Sequence, residues 1–169
     1  SANVSGAWLI AVCAQKVSRK SRNSRIVALD GVQDPGNVGT IIRTAVAFGF
    51  DQVLLSPDCA DVYNEKCVRS TQGALFHIAI SRIELIPALR SLKEKGVMVI
   101  ATALHEAQPL SELPIVENVA LVLGNEGQGI RPATLEICDQ RAFIEMSSFE
   151  SLNVAVAAGI CLYRYRRRG

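Results

Sequence analysis

From residue 25 onward, short apolar runs alternate with stretches of helical spacing. Strand-like runs occupy Arg25–Leu29, Gln52–Leu55, Phe76–Ile80, Val97–Thr102, Val119–Leu123 and Ala142–Glu145. Their apolar residues follow one another instead of alternating with polar ones, which marks strands buried on both faces and hence a mainly parallel sheet. Helical spacing covers Val38–Phe48, Asn64–Gln72, Ile83–Glu94, Pro132–Cys138 and Ser151–Tyr165. Strand then helix, repeated, predicts an α/β fold with helices on both faces of that sheet. Ligands of such sheets bind beyond the carboxyl ends of the strands. The informative loops are therefore those after Leu29, Thr102, Leu123 and Glu145.

The composition narrows the chemistry. Nearly half of the 169 residues are hydrophobic, enough for a buried core and against disorder. The longest apolar runs are strand-sized, so no membrane span is expected. Cys13, Cys59, Cys67, Cys138 and Cys161 are scattered without a CxxC pair. They read as free thiols in a reducing, cytoplasmic setting, with neither disulfides nor a zinc site. His77 and His105 are isolated, so no metal is expected. Positive charge clusters at the ends: Lys16, Arg19, Lys20, Arg22 and Arg25, then Arg164, Arg166, Arg167 and Arg168. The remainder is net acidic. Basic ends on an acidic body suit a polyanionic partner, although cations at a helix C-terminus also complement its dipole.

Three loops carry candidate chemistry. In the first, Asp34-Pro35-Gly36 makes a turn and Asn37 stands at the expected N-cap of a helix. On that helix Thr40, Arg43, Thr44 and Ala47 share one face, and Ile41, Ile42, Val46 and Phe48 fill the others. An Arg among so many apolar neighbours invites a functional role. In the second, a strand runs into Gly124-Asn125-Glu126-Gly127-Gln128-Gly129, where glycines permit positive φ and close backbone approach to a ligand. The loop has no Lys and places Glu126 where a phosphate would sit, so it is not a phosphate loop. The third leads into a helix that is apolar nearly all round, from Leu152 to Leu162, with polar Ser151 and Asn153 in its first turn. Such a helix is buried on more than one side, the second side being suited to a partner subunit.

In order and spacing these stretches resemble the SpoU family of the SPOUT methyltransferases. N-x-x-x-x-x-R is present as Asn37 to Arg43, G-N-E-G-x-G as Gly124 to Gly129, and S-L-N-V-x-V-A as Ser151 to Ala157. The resemblance implies a SPOUT-type fold with a C-terminal trefoil knot, a homodimer, and S-adenosylmethionine as cofactor. It further implies transfer of a methyl group to a ribose 2′-hydroxyl of RNA, ribosomal RNA ahead of transfer RNA. Asn37, Arg43, Glu126, Ser151 and Asn153 match the family's catalytic and RNA-contacting positions. Thr102, Ala103, Leu104, Gly124, Asn125, Gly129, Ile144, Met146, Leu152 and Asn153 match its cofactor-binding segments. Arg43 is offered two roles, as general base or, since guanidinium stays protonated, as a grip on the neighbouring phosphate.

Two features depart from the family pattern. Its I-P-M-x-G stands here as Ile144-Glu145-Met146-Ser147-Ser148, without the Pro and Gly. Residues 1–24 are too few for the separate N-terminal RNA-binding domain of many relatives. They are read as a strand, Ala7–Val12, and a basic linker left from such a domain, with the methyltransferase domain spanning 25–169. The competing readings are a non-catalytic module of the same fold and a nucleotide-dependent enzyme. The second would need a G-x-G-x-x-G loop after an early strand, and the early loop here, DGVQDPGNVG, lacks that spacing.

Overall fold

A computed structural model describes residues 24–147 and 152–167. Among these residues seven strands form one sheet: β1 (Arg25–Asp30), β2 (Gln52–Leu55), β3 (Ala79–Arg82), β4 (Met98–Thr102), β5 (Gln108–Pro109), β6 (Val119–Gly124) and β7 (Gln140–Phe143). Five α-helices among the described residues accompany it: α1 (Pro35–Ala47), α2 (Glu65–Thr71), α3 (Leu85–Glu94), α4 (Pro132–Leu135) and α5 (Val154–Arg164). The spatial order is β3-β2-β1-β6-β4-β7-β5, and every neighbouring pair is parallel. The expected α/β sheet is therefore present.

Alternation along each strand builds two cores. Val27 and Leu29 of β1 point to one face, with Ile41 and Ile42 of α1 and Ala158, Cys161 and Leu162 of α5. Ile26 and Ala28 point to the other, where α3 presents Leu85, Leu89 and Leu92 at one-turn spacing. Burying each leucine contributes about 1.5–3 kcal/mol. Gly39 lets α1 and α2 touch, because a Cβ there would stand 2.5 Å from the Cys67 carbonyl oxygen.

The chain leaves β1 outward through β2 and β3, then crosses by α3 to β4. Strand β6 later inserts between β1 and β4, and β7 between β4 and β5. The loops after β1 and β6 thus meet at a point where chain direction reverses, the kind of crevice in which such sheets bind ligands.

Several expected boundaries shift. Phe76–Ile80 is not a strand: Gly73, at φ +86°, starts a single 3₁₀ turn at Ala74–Phe76, and β3 begins at Ala79. Pairing with β2 sets that start, and the edge position allows polar Ser81 and Arg82 in the strand. The Arg82 guanidinium donates to the carbonyls of Ser56, Pro57, Cys59 and Ala60 and staples the loop after β2. α4 ends at Leu135 instead of Cys138, because the chain turns so that Asp139 N can bond Val99 O at 2.8 Å. β7 starts at Gln140, pulled two residues earlier than expected by its register against Ile100. The two-residue β5 carries too little pattern to predict, and its Pro109 is tolerated at an edge. The expected strand Ala7–Val12 and the basic stretch from Lys16 to Arg22 lie outside the described residues.

Candidate functional site

The helix cap after β1 is Asp34, not Asn37. Asp34 Oδ1 accepts from the Asn37 amide at 2.9 Å, and Lys66 Nζ pairs with Oδ2 at 2.6 Å. Pro35 follows at the first helical position, where its missing N–H costs nothing. Asn37 therefore sits one turn inside the site with its side chain free for other partners.

Those partners come from the two other loops. Asn37 Nδ2 donates to Glu126 Oε1 at 3.0 Å, and Asn153 Nδ2 donates to Asn37 Oδ1 at 3.1 Å. Asn153 also caps α5, its Oδ1 accepting from Ala155 N and Val156 N. Glu126 accepts from the amides of Gln33 and Asp34 as well, both at 3.3 Å. Partial burial pushes the Glu126 carboxyl upward, but the donors from Asn37, Gln33 and Asp34 outweigh it and hold it below the usual range. One hydrogen-bonded chain, Asn153–Asn37–Glu126, thus joins three loops distant in sequence.

The glycine loop owes its shape mostly to itself. Asn125 and Gly129 exchange backbone bonds at 2.9 and 3.0 Å. Asn125 Oδ1 accepts from Gly127 N and Gln128 N, while Nδ2 donates to Gly31 O. A Cβ on Gly124 would lie 2.2 Å from the Gly129 carbonyl carbon, so the loop folding back, and not a ligand, requires that glycine. Only Gly129 of the three has positive φ. The Asn125 side chain is consumed by the loop, which leaves its backbone for any ligand.

Arg43 is exposed on the outer face of α1, with no partner among the described residues. The expected polar face is there: Thr40 and Ala47 are exposed as well, while Ile41 and Ile42 are buried. Burial therefore does not explain Arg43; solvent meets it. Ser151 lies outside the described residues. Thr102 ends β4 and Ala103 follows it; Ala103 N still bonds Ala142 O, and Thr102 Oγ1 donates to Val122 O. Leu104 is exposed. Ile144 and Met146 follow β7, and Met146 and Leu152 are both 37% exposed. The segments from Thr102, Gly124 and Ile144 leave three adjacent strands at the same edge.

The sequence profile of the SpoU rRNA Methylase family matches residues 24–163. The chain belongs to this family. The 23S rRNA (guanosine(2553)-2'-O)-methyltransferase RlmP of Bacillus subtilis is 43% identical over 159 residues, 94% of this chain and 64% of that protein. The 23S rRNA (guanosine-2'-O-)-methyltransferase RlmB of Coxiella burnetii is 35% identical, over 90% of this chain and 62% of that protein. Among solved structures, the AdoMet-bound rRNA methyltransferase from Sinorhizobium meliloti superposes with a TM-score of 0.80 at 34% identity, covering 88% of this chain and 57% of that one. The SpoU methyltransferase AviRb from Streptomyces viridochromogenes, in complex with AdoMet, gives 0.78 at 32% identity, covering 85% and 60%. The chain spans about half to two thirds of the length of the curated relatives it matches.

One ion pair beside the site carries no motif in the sequence. Asp30, fully buried at the end of β1, binds Arg131 just beyond the glycine loop. The signal was present in the sequence: a carboxylate closing an otherwise apolar strand demands a cation nearby.

Proposed function

We propose that this SpoU-family chain transfers a methyl group from S-adenosylmethionine to a ribose 2′-hydroxyl of RNA, ribosomal RNA ahead of transfer RNA. The observation that carries this reading is the Asn153–Asn37–Glu126 chain, which ties all three family motifs into one site. The names of RlmP and RlmB, both 23S rRNA enzymes, support the choice of RNA.

The residues present fit the cofactor. Exposed Leu104, Met146 and Leu152 give apolar cover for a nucleoside at the strand ends, and half-buried Thr102 and Ala103 keep backbone close by. Among the described residues no group of His, Cys, Asp and Glu could hold a metal ion, and none is invoked. When bound, S-adenosylmethionine supplies an electrophilic sulfonium methyl. Arg43, exposed and without a partner among the described residues, grips a phosphate and polarises the adjacent hydroxyl. Asn37 and Asn153 orient the nucleophile, and Glu126 fixes Asn37 by accepting from its amide. Much of the rate gain then comes from alignment.

We also read residues 152–167 as threading the loop 103–118 to form the trefoil knot. Arg164 donates to the carbonyls of Ser111 and Leu113, Tyr165 to that of Pro114, and Ser111 to Glu145, which supports that path. A homodimer is supported by α5, which exposes Val156, Ile160 and Tyr163 beside a groove of about 370 Å³ lined by Leu110, Ile115 and Ile144. No helix among the described residues is long and apolar enough to cross a membrane, and a cytoplasmic place is in keeping with an RNA substrate.

The test is incubation of the purified protein with methyl-labelled cofactor and ribosomal RNA, transfer RNA or DNA. Label in alkali-resistant dinucleotides of ribosomal RNA is expected. Label on a base, or none on any RNA, would overturn the reading.

A further inference from the structure

The Asp30 side chain is fully buried, where a carboxylate must be matched by donors. Arg131 supplies them: its amide donates to Oδ2 at 3.0 Å, Nε to Oδ1 at 2.6 Å, and Nη2 pairs with the same oxygen. Arg131 stands two residues beyond Gly129, the last residue of the glycine loop. At the loop's other end, Asn125 Nδ2 donates to Gly31 O at 2.8 Å. Both ends are thus fastened to neighbouring residues, Asp30 and Gly31, and Glu126 lies between them. Glu126 in turn receives Gln33, Asp34 and Asn37, from the segment immediately after Gly31. The anchor is braced from a third side. Gly31 N donates to Ser56 Oγ, Ser56 Oγ donates to Asp58, and Asp58 stands 3.7 Å from Arg131.

We propose that Asp30 and Arg131 are positioning residues for methyl transfer, acting through Glu126 and touching neither RNA nor cofactor. The proposal rests on the methyltransferase reading above. Its physical basis is that Glu126 sits on a loop, and a loop residue holds a productive geometry only if its anchors are rigid. A displacement of about 1 Å at such a group can lower turnover by about a hundredfold. The Arg131 side chain is 51% exposed, so shortening it opens space to solvent and leaves no internal cavity.

The experiment compares Arg131→Lys in the parent and in a Glu126→Gln background. Lysine keeps the charge and the backbone bond to Asp30 but loses the planar fork. In the parent, kcat for RNA methylation should fall about ten- to a hundredfold with cofactor KM nearly unchanged. In the Glu126→Gln background the same change should alter kcat less than about twofold, because the pathway is already cut. Equal losses in both backgrounds would show a general structural effect and overturn the proposal, as would an unchanged parent kcat. Amide hydrogen exchange of Asn125 and Gly129 gives a readout independent of turnover. If the unmodified protein methylates no RNA, the functional reading fails. Faster exchange at these amides in Arg131→Lys then still supports the anchor, and unchanged exchange sinks it.

Discussion

Asn153 donates its side-chain amide to the Asn37 carbonyl oxygen at 3.1 Å, across 116 positions of sequence. Asn37 passes the connection on to Glu126, using its acceptor for one partner and its donor for the other. An amide can do both from a single side chain, whereas an ionised carboxylate only accepts. Asn37→Asp should therefore fail although it is the same size, because a carboxylate would face that of Glu126. We expect kcat to fall about 10²–10³-fold with partial recovery as pH is lowered and one carboxyl takes a proton. Single-turnover methyl transfer across pH checks this. Full activity of Asn37→Asp at neutral pH would remove the relay from the mechanism.

Arg43 is exposed and has no partner among the described residues, so its removal should leave the fold intact. Arg43→Ala is expected to abolish methyl transfer while cofactor binding, measured by calorimetry, is unchanged. If the guanidinium grips a phosphate, the dependence of RNA affinity on salt should also weaken by about one unit of log slope. An unchanged slope together with lost turnover would assign Arg43 to the hydroxyl alone.

Gly124 faces backbone at 2.2 Å from an added Cβ, and backbone cannot move aside as a flexible side chain can. Gly124→Ala should destabilise the protein by about 1–3 kcal/mol and displace Glu126. Gly127, whose added Cβ would meet nothing closer than 3.6 Å, serves as the contrasting site. Denaturant unfolding of both variants decides whether crowding or loop flexibility matters.

Asp51 fastens both ends of the described chain, accepting from Ser24 Oγ at 2.6 Å, Arg25 N at 3.1 Å and Arg167 Nη2 at 3.0 Å. Burial pushes its carboxyl upward, but the Ser24, Arg25 and Arg167 donors prevail and hold it below the ordinary range. A depressed folded value means the stabilisation is complete above the unfolded pKa and is lost as pH falls through the folded one. Asp51→Asn should cost about 1–3 kcal/mol at neutral pH. The gap in unfolding temperature from the parent should close below about pH 4. A gap constant from neutral to acid would show that charge has no part in it.

The sequence by itself determined the strands whose both faces are buried, because uninterrupted runs such as Val119–Leu123 leave no other way to satisfy their side chains. It also determined the three motif loops, since glycine, asparagine and proline at turns act locally. It misread what depends on partners. The edge strand β3 starts where β2 lets it, and Asn37, which sits within capping distance in sequence, yields that duty to Asp34 and turns to Glu126 and Asn153. Gly124 is required by Ile130 and Gly129 folding back upon it, a closeness that spacing along the chain cannot convey. The tertiary structure alone decided these points, because a hydrogen bond or a steric contact belongs to two residues, and the pattern along one strand or helix records only one of them.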